Sequence, residues 1–130
     1  MEEYRYKSVL LVDDSYVDNL INRKMLRSNF FAQDITVIDS PLKAIAYLKN
    51  CVNEDTLPDV IFLDIRMPEM DGFEFLHSLN NIEGLDQSVL KIYMLSSSLD
   101  PDDLKQIADN DLVSRFISKP LTEKTLKEIG

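Results

Sequence analysis

The chain of 130 residues holds one cysteine, one histidine and three glycines, and its basic residues are outnumbered. The single Cys51 excludes an internal disulfide and any thiolate metal cluster, and it is consistent with a reducing cytoplasm. Lys and Arg number 14 against 23 Asp and Glu, for a formal charge of −9. That balance opposes nucleic-acid binding, because neutralising a phosphate backbone needs clustered cations. No apolar run approaches the ~18 residues of a membrane span, so membrane insertion is not expected. The N-terminal Met1-Glu2-Glu3-Tyr4 is acidic, reads as a frayed tail and lacks a signal-peptide core. The lone His77 reads as an exposed side chain on a helix.

What remains is the composition of a globular domain. Apolar residues make up 45% of the chain, enough for a sizeable core in one domain of residues 1–130. Strand-type and helix-type segments alternate five times, the pattern of βαβ units and a parallel sheet. Strands are predicted at Val9–Val12, Ile35–Ile38, from Pro58-Asp59 through Leu63, at Lys91–Leu95 and over Val113–Ser118. The third is apolar throughout and is therefore expected to be central.

Helix one follows Asp14-Ser15, with Val17, Leu20, Ile21 and Met25 marking an apolar face. Ser40-Pro41 reads as N-cap and first position of helix two, whose apolar face is Ile45, Leu48 and Val52. Helix three begins near Asp71-Gly72 and turns Phe75, Leu76 and Leu79 inward. Asp100-Pro101 opens helix four, with Leu104, Ile107 and Ala108 expected inward. Thr122 caps helix five, and Leu121 and Leu126 fit a hydrophobic staple.

The strand ends carry the chemistry. Strand one runs into Asp13-Asp14, strand three into Asp64, strand four into Ser96-Ser97, and strand five into Lys119-Pro120. In a parallel α/β sheet these ends share one edge, where ligands bind. An Asp-Asp pair before a helix is in itself ordinary capping. Asp64 alters that, since two carboxylates ~5 Å apart repel by about 3 kcal/mol at an effective dielectric near 20. Three together call for a cation, and an all-oxygen donor set favours Mg²⁺. A carboxylate can accept a phosphoryl group, and the transfer needs positioning and charge neutralisation above all.

The segments LLVDDS at 10–15, IFLDIRMPEMDG at 61–72, MLSSS at 94–98 and FISKP at 116–120 resemble the receiver domain of two-component response regulators. The resemblance covers nearly the whole chain. It implies a flavodoxin-like three-layer α/β sandwich, with a five-stranded parallel sheet in order 2-1-3-4-5 and five helices. It implies Asp64 as phosphoacceptor, with Ser96 and Lys119 contacting the phosphoryl group. Mg²⁺ would touch Asp14, Asp64 and the backbone carbonyl of Arg66, with Asp13 acting mostly through a bound water. The Lys119-Pro120 peptide is often cis in such domains, and Phe116 stands where they carry a switching aromatic.

The implied partners are a histidine kinase or phosphotransfer protein as donor and an unknown downstream protein as target, in the cytoplasm. Phosphate comes from the partner's histidine rather than from His77. Arg66 occupies a variable position that affects phosphoryl lifetime, where a long cation can pair with the phosphoryl group or a nearby acid. Only positions 120–130 follow Lys119, so helix five is expected to be short, either frayed or cut from a longer chain. No output domain is expected, so the signal would leave through protein contacts.

Three other readings compete. An aspartate-nucleophile phosphatase of the haloacid dehalogenase type needs an acid two residues past the nucleophile, where this chain has Arg66. A flavin-binding flavodoxin needs a phosphate loop rich in Ser, Thr and Gly after strand one, where this chain has Asp13-Asp14-Ser15. A pseudo-receiver that only binds partners is opposed by the intact acidic set and Lys119.

Overall fold

The computed structural model describes residues 3–97 and 100–129. Glu2 of the acidic tail and Ser98 of the serine run lie outside the described residues. Eleven elements follow in order: β1 Tyr6–Val12, α1 Tyr16–Ser28, β2 Ala32–Ile38, α2 Pro41–Glu54, β3 Val60–Asp64, α3 Gly72–Leu79, a 3-10 turn Gln87–Val89, β4 Lys91–Ser96, α4 Pro101–Ala108, β5 Arg115–Ser118 and α5 Glu123–Ile129. The five strands form one parallel sheet in the order β2-β1-β3-β4-β5. All five residues of β3 are buried, as its unbroken apolar run requires of a central strand.

Strand alternation divides the core in two. Leu10, Val12, Ile61, Leu63, Ile92 and Met94 pack beneath α2, α3 and α4. Val9, Leu11, Val60, Phe62, Tyr93 and Leu95 face the opposite way, against α1 and α5. Successive side chains on a strand point to opposite faces, so each strand feeds both layers. The second layer is threaded by the rings of Tyr6, Phe31, Phe62 and Tyr93, with successive centroids 5.1, 5.6 and 5.6 Å apart.

The helix starts follow local chemistry. Ser40 Oγ accepts from Lys43 N–H, with Pro41 at the first position of α2. Asp71 and Glu74 form a reciprocal capping box on α3. Asp100 caps α4, and Thr122 Oγ1 accepts from Thr125 N–H at the start of α5. Gly72 answers a close approach: a Cβ there would stand 2.8 Å from the Asp64 carbonyl oxygen and 2.6 Å from Met94 Cε. Its absence lets α3 begin directly against the end of β3.

Two helix faces differ from the sequence expectation. In α1 the buried residues are Asn19, Asn22 and Leu26, whereas Val17, Leu20 and Ile21 are exposed. Leu26 packs into the apolar layer, but the inward positions of Asn19 and Asn22 face backbone groups. Asn19 Nδ2 donates to the Asp13 carbonyl at 2.7 Å, and Asn22 Oδ1 accepts from Leu121 N–H at 2.9 Å. Apolar residues there would bury those groups without partners. In α4, Ile107 is inward as expected, but its buried companion is Asp103, and Leu104 and Ala108 are exposed. Smaller shifts occur elsewhere. The inner face of α2 centres on Ala44, Leu48 and Cys51, with Ile45 and Val52 packed at its flank. β5 begins at Arg115 rather than Val113.

Candidate functional site

Because β1 and β3 are neighbours, with Val12 opposite Leu63, the residues that follow them meet at the sheet's C-terminal edge. One carboxylate oxygen from each of Asp13, Asp14 and Asp64 lies within 4.8 Å of the others. Asp13 and Asp64 are buried, and Asp14 is exposed. Asp13 is held on both oxygens: Oδ1 accepts from Ser15 N–H at 2.9 Å, and Oδ2 lies 2.6 Å from Lys119 Nζ.

Lys119 is brought in by β4 and β5. Leu95 is paired with Ile117 and Ser96 with Ser118, and Lys119 N–H donates to the Ser96 carbonyl at 2.9 Å. The Lys119–Pro120 peptide bond is cis. Asn22, through Leu121 N–H, holds the chain just beyond it. The ammonium reaches Asp13, Asp18 and Asp64 at 2.6, 3.0 and 3.0 Å, with its side chain only 8% exposed. Ser96 ends β4 as a buried residue, and Phe116 is half-buried against the core layer beneath α4.

The electrostatics follow from this crowding. Burial, and next the charge of Asp13, push the Asp64 carboxyl up to about 6, against the opposing pull of Lys119. Burial alone would depress Lys119, but the Asp13 and Asp18 carboxylates, together with Asp64, hold it above its ordinary value. One ammonium thus offsets part of the charge of a cluster of four acids. The donor set is all oxygen, and the exposed position of Asp14 leaves room for water. Those are the requirements of a hard divalent cation that keeps part of its hydration shell.

Sequence reasoning placed Asp13, Asp14, Asp64, Ser96 and Lys119 at strand ends, and the fold gathers them at one edge. It did not find Asp18, which joins the site from the first turn of α1. It also did not find Asn19 and Asn22, whose three-residue spacing on α1 was the available signal. Arg66 sits in the loop after β3, but its guanidinium turns to α4. Nη2 lies 2.6 Å from Asp103 Oδ2 and 3.7 Å from Asp100 Oδ2. His77 is exposed on α3. A cavity of about 600 Å³, lined in part by Asp14, Tyr16, Asn19, Leu20, Arg23 and Lys43, opens beside the acidic cluster.

The fold and site define a doubly wound α/β protein with an acidic pocket and a lysine at the switch point of its sheet. The chain belongs to the response regulator receiver domain family, whose model matches residues 9–129. A solved two-component response regulator from Cytophaga hutchinsonii superposes with a TM-score of 0.90 at 30% identity, covering 96% of this chain and 94% of that one. The two-component response regulator ORR1 of Oryza sativa is 33% identical over 125 residues, 93% of this chain and 52% of that protein. A protein-glutamate methylesterase/protein-glutamine glutaminase of Burkholderia thailandensis is 29% identical over 119 residues, 92% of this chain but 31% of that protein. The chain therefore spans about half, or less, of these two curated relatives. Receiver domains are phosphoacceptor switches of two-component signalling. Among the described residues, no helix is long and apolar enough to cross a membrane.

Proposed function

We propose that this receiver domain accepts a phosphoryl group on Asp64 from a phosphohistidine of a kinase or phosphotransfer protein, with Mg²⁺ bound at the acidic cluster. The observation that carries the reading is the convergence of Asp13, Asp14 and Asp64 with Lys119 in one pocket at the sheet edge. In the transfer, the phosphorus–nitrogen bond to the partner's imidazole breaks as a bond to an Asp64 carboxylate oxygen forms. The leaving imidazole nitrogen takes up a proton.

Asp14, Asp64 and the Arg66 carbonyl would hold the cation. Asp13, with both oxygens already engaged, would act through water. When bound, the cation supplies charge neutralisation at the phosphoryl oxygens. Lys119 supplies the same from the other side, giving up contacts to the carboxylates as it does so. Ser96 would donate its hydroxyl to a phosphoryl oxygen. Movement of its loop, with Phe116 behind it, would carry the change to the face made by α4, β5 and α5.

The donor must bring its histidine against Asp64, so it must cover the rim of the pocket. Tyr16 and Leu20 of α1 line the cavity beside the acidic cluster and are 79% and 54% exposed, and Val17 and Ile21 on the same helix are 60% and 43% exposed. An apolar patch beside a charged pocket suits a helical partner that buries the patch while delivering phosphate. Residues 1–130 are read as one receiver domain that works in the cytoplasm and passes its signal on by protein contact.

Incubation with acetyl phosphate and Mg²⁺, followed by intact mass measurement, tests the reading. One phosphoryl adduct is expected, absent in Asp64→Asn. An adduct of the same yield in that variant would overturn the assignment.

A further inference from the structure

Asp103 stands out in α4. It lies in the first turn of the helix and is 4% exposed, at a position where an amphipathic helix turns an apolar side chain inward. A carboxylate at that depth needs a partner. The partner is Arg66, whose Nη2 stands 2.6 Å from Asp103 Oδ2 and 3.7 Å from the capping carboxylate Asp100. Arg66 belongs to the loop two residues beyond Asp64, and its side chain is 61% exposed. The guanidinium therefore starts at the phosphoacceptor loop and is drawn across the surface onto α4. The hold on that helix is otherwise small, since Asp103 and Ile107 are its two buried residues.

We propose that Asp103 is a positioning residue: it keeps Arg66 on α4 while Asp64 is free and makes the Arg66 guanidinium the link through which phosphorylation of Asp64 is passed to α4. The inference rests on Asp64 being the phosphoacceptor. The phosphoryl group carries roughly −1.5 to −2 of charge where the free carboxylate carries −1, and it brings three strong acceptor oxygens. It lies two residues from Arg66, and a guanidinium binds phosphate through paired hydrogen bonds. Transfer of Arg66 to the phosphoryl group leaves Asp103 buried without its counter-charge. Such a carboxylate moves toward water, and the first turn of α4 moves with it. Asp103 thereby also sets how readily the cation reaches the phosphoryl group, and so the lifetime of the adduct.

The test is a double-variant cycle of Arg66→Ala and Asp103→Asn, read by two signals. The first is decay of the Asp64 adduct after acetyl phosphate is removed. The second is amide hydrogen exchange over residues 101–108. With Arg66 present, Asp103→Asn is expected to change the decay rate about threefold or more, a coupling ordinary for residues in contact. In the Arg66→Ala background it is expected to change nothing, and Asp103→Glu is expected to restore the parental rate. Exchange over α4 is expected to rise in either single variant and no further in the double. Phosphorylation is expected to raise it in the parent but not in Asp103→Asn.

Effects of equal size in both backgrounds, or a parental decay rate in Asp103→Asn, overturn the proposal while the phosphoacceptor reading stands. Failure of Asp64 to take up phosphate overturns that reading, and this inference with it.

Discussion

The ammonium of Lys119, just beyond the edge strand β5, stands 3.0 Å from Oδ1 of Asp64 at the end of the central strand β3, with β4 between the two strands. The same ammonium is 2.6 Å from Asp13 Oδ2. It is therefore the internal counter-ion of the buried carboxylates as well as the proposed phosphoryl contact. That double role makes the resting site stable enough to fold and still poised for a group of higher charge.

Replacing Lys119 with Met keeps the stem but removes the charge. Asp13 and Asp64 would be left buried without their cation, a loss of about 3 kcal/mol on the scale of broken buried pairs. Urea denaturation without Mg²⁺ should report it, and saturating Mg²⁺ should return part of the loss. Equal losses with and without the metal would show that Lys119 is not the counter-ion of this cluster.

Mg²⁺ is expected to raise the melting temperature of the parent protein. A ligand that binds only the native state stabilises it by about 2.7 kcal/mol at a hundred times its dissociation constant. Asp14→Ala removes the exposed carboxylate of the cluster and should abolish most of the rise. Thermal melts across a Mg²⁺ titration measure it, and a rise of parental size in the variant would rule Asp14 out as a ligand.

The Asp64 carboxyl is pushed up to about 6 by burial first and by Asp13 second. An unfolded Asp titrates at about 3.9. Between those values the native chain holds a proton that the unfolded chain has released, so stability falls as pH rises through the window. The penalty is complete above the folded value and amounts to about 3 kcal/mol. Without metal, the stability advantage of Asp64→Asn over the parent should grow as pH rises from about 4 to about 6.5 and then level off. A pH-independent difference between the two proteins would contradict the shift.

Asn22→Leu keeps the size of a buried side chain but leaves the Leu121 N–H without its acceptor at 2.9 Å. The expected cost is about 1–3 kcal/mol. Because Leu121 follows the Lys119–Pro120 peptide, the phosphorylation rate with acetyl phosphate should fall as well. Asn22→Asp, which keeps the acceptor, should retain more of the rate than Asn22→Leu. The reverse ranking would argue that Asn22 serves packing alone.

Much of this molecule was legible along the chain because the signals were local. Alternating apolar runs and the pairs Ser40-Pro41, Asp71-Gly72 and Asp100-Pro101 depend on nearest neighbours in sequence, and all appear where that chemistry puts them. α1 shows where local reasoning ends. Its apolar residues lie at helical spacing, yet Val17, Leu20 and Ile21 face outward. The inward positions 19 and 22 meet backbone groups of two loops, and only hydrogen-bonding side chains satisfy those.

The sequence by itself determined the succession of strands and helices and the kinds of group at the strand ends: carboxylates after β1 and β3, a hydroxyl after β4 and a lysine after β5. Those follow from side-chain periodicity and capping, which act over a few residues. Tertiary structure alone decided that Asp18 joins Lys119, that Asn19 and Asn22 clamp the loops on either side of the site, and that Arg66 turns to Asp103. Each of these contacts joins segments remote in sequence or depends on which way a helix is rotated. That rotation is set by the hydrogen-bonding and charge demands of the neighbouring loops, which no single segment carries.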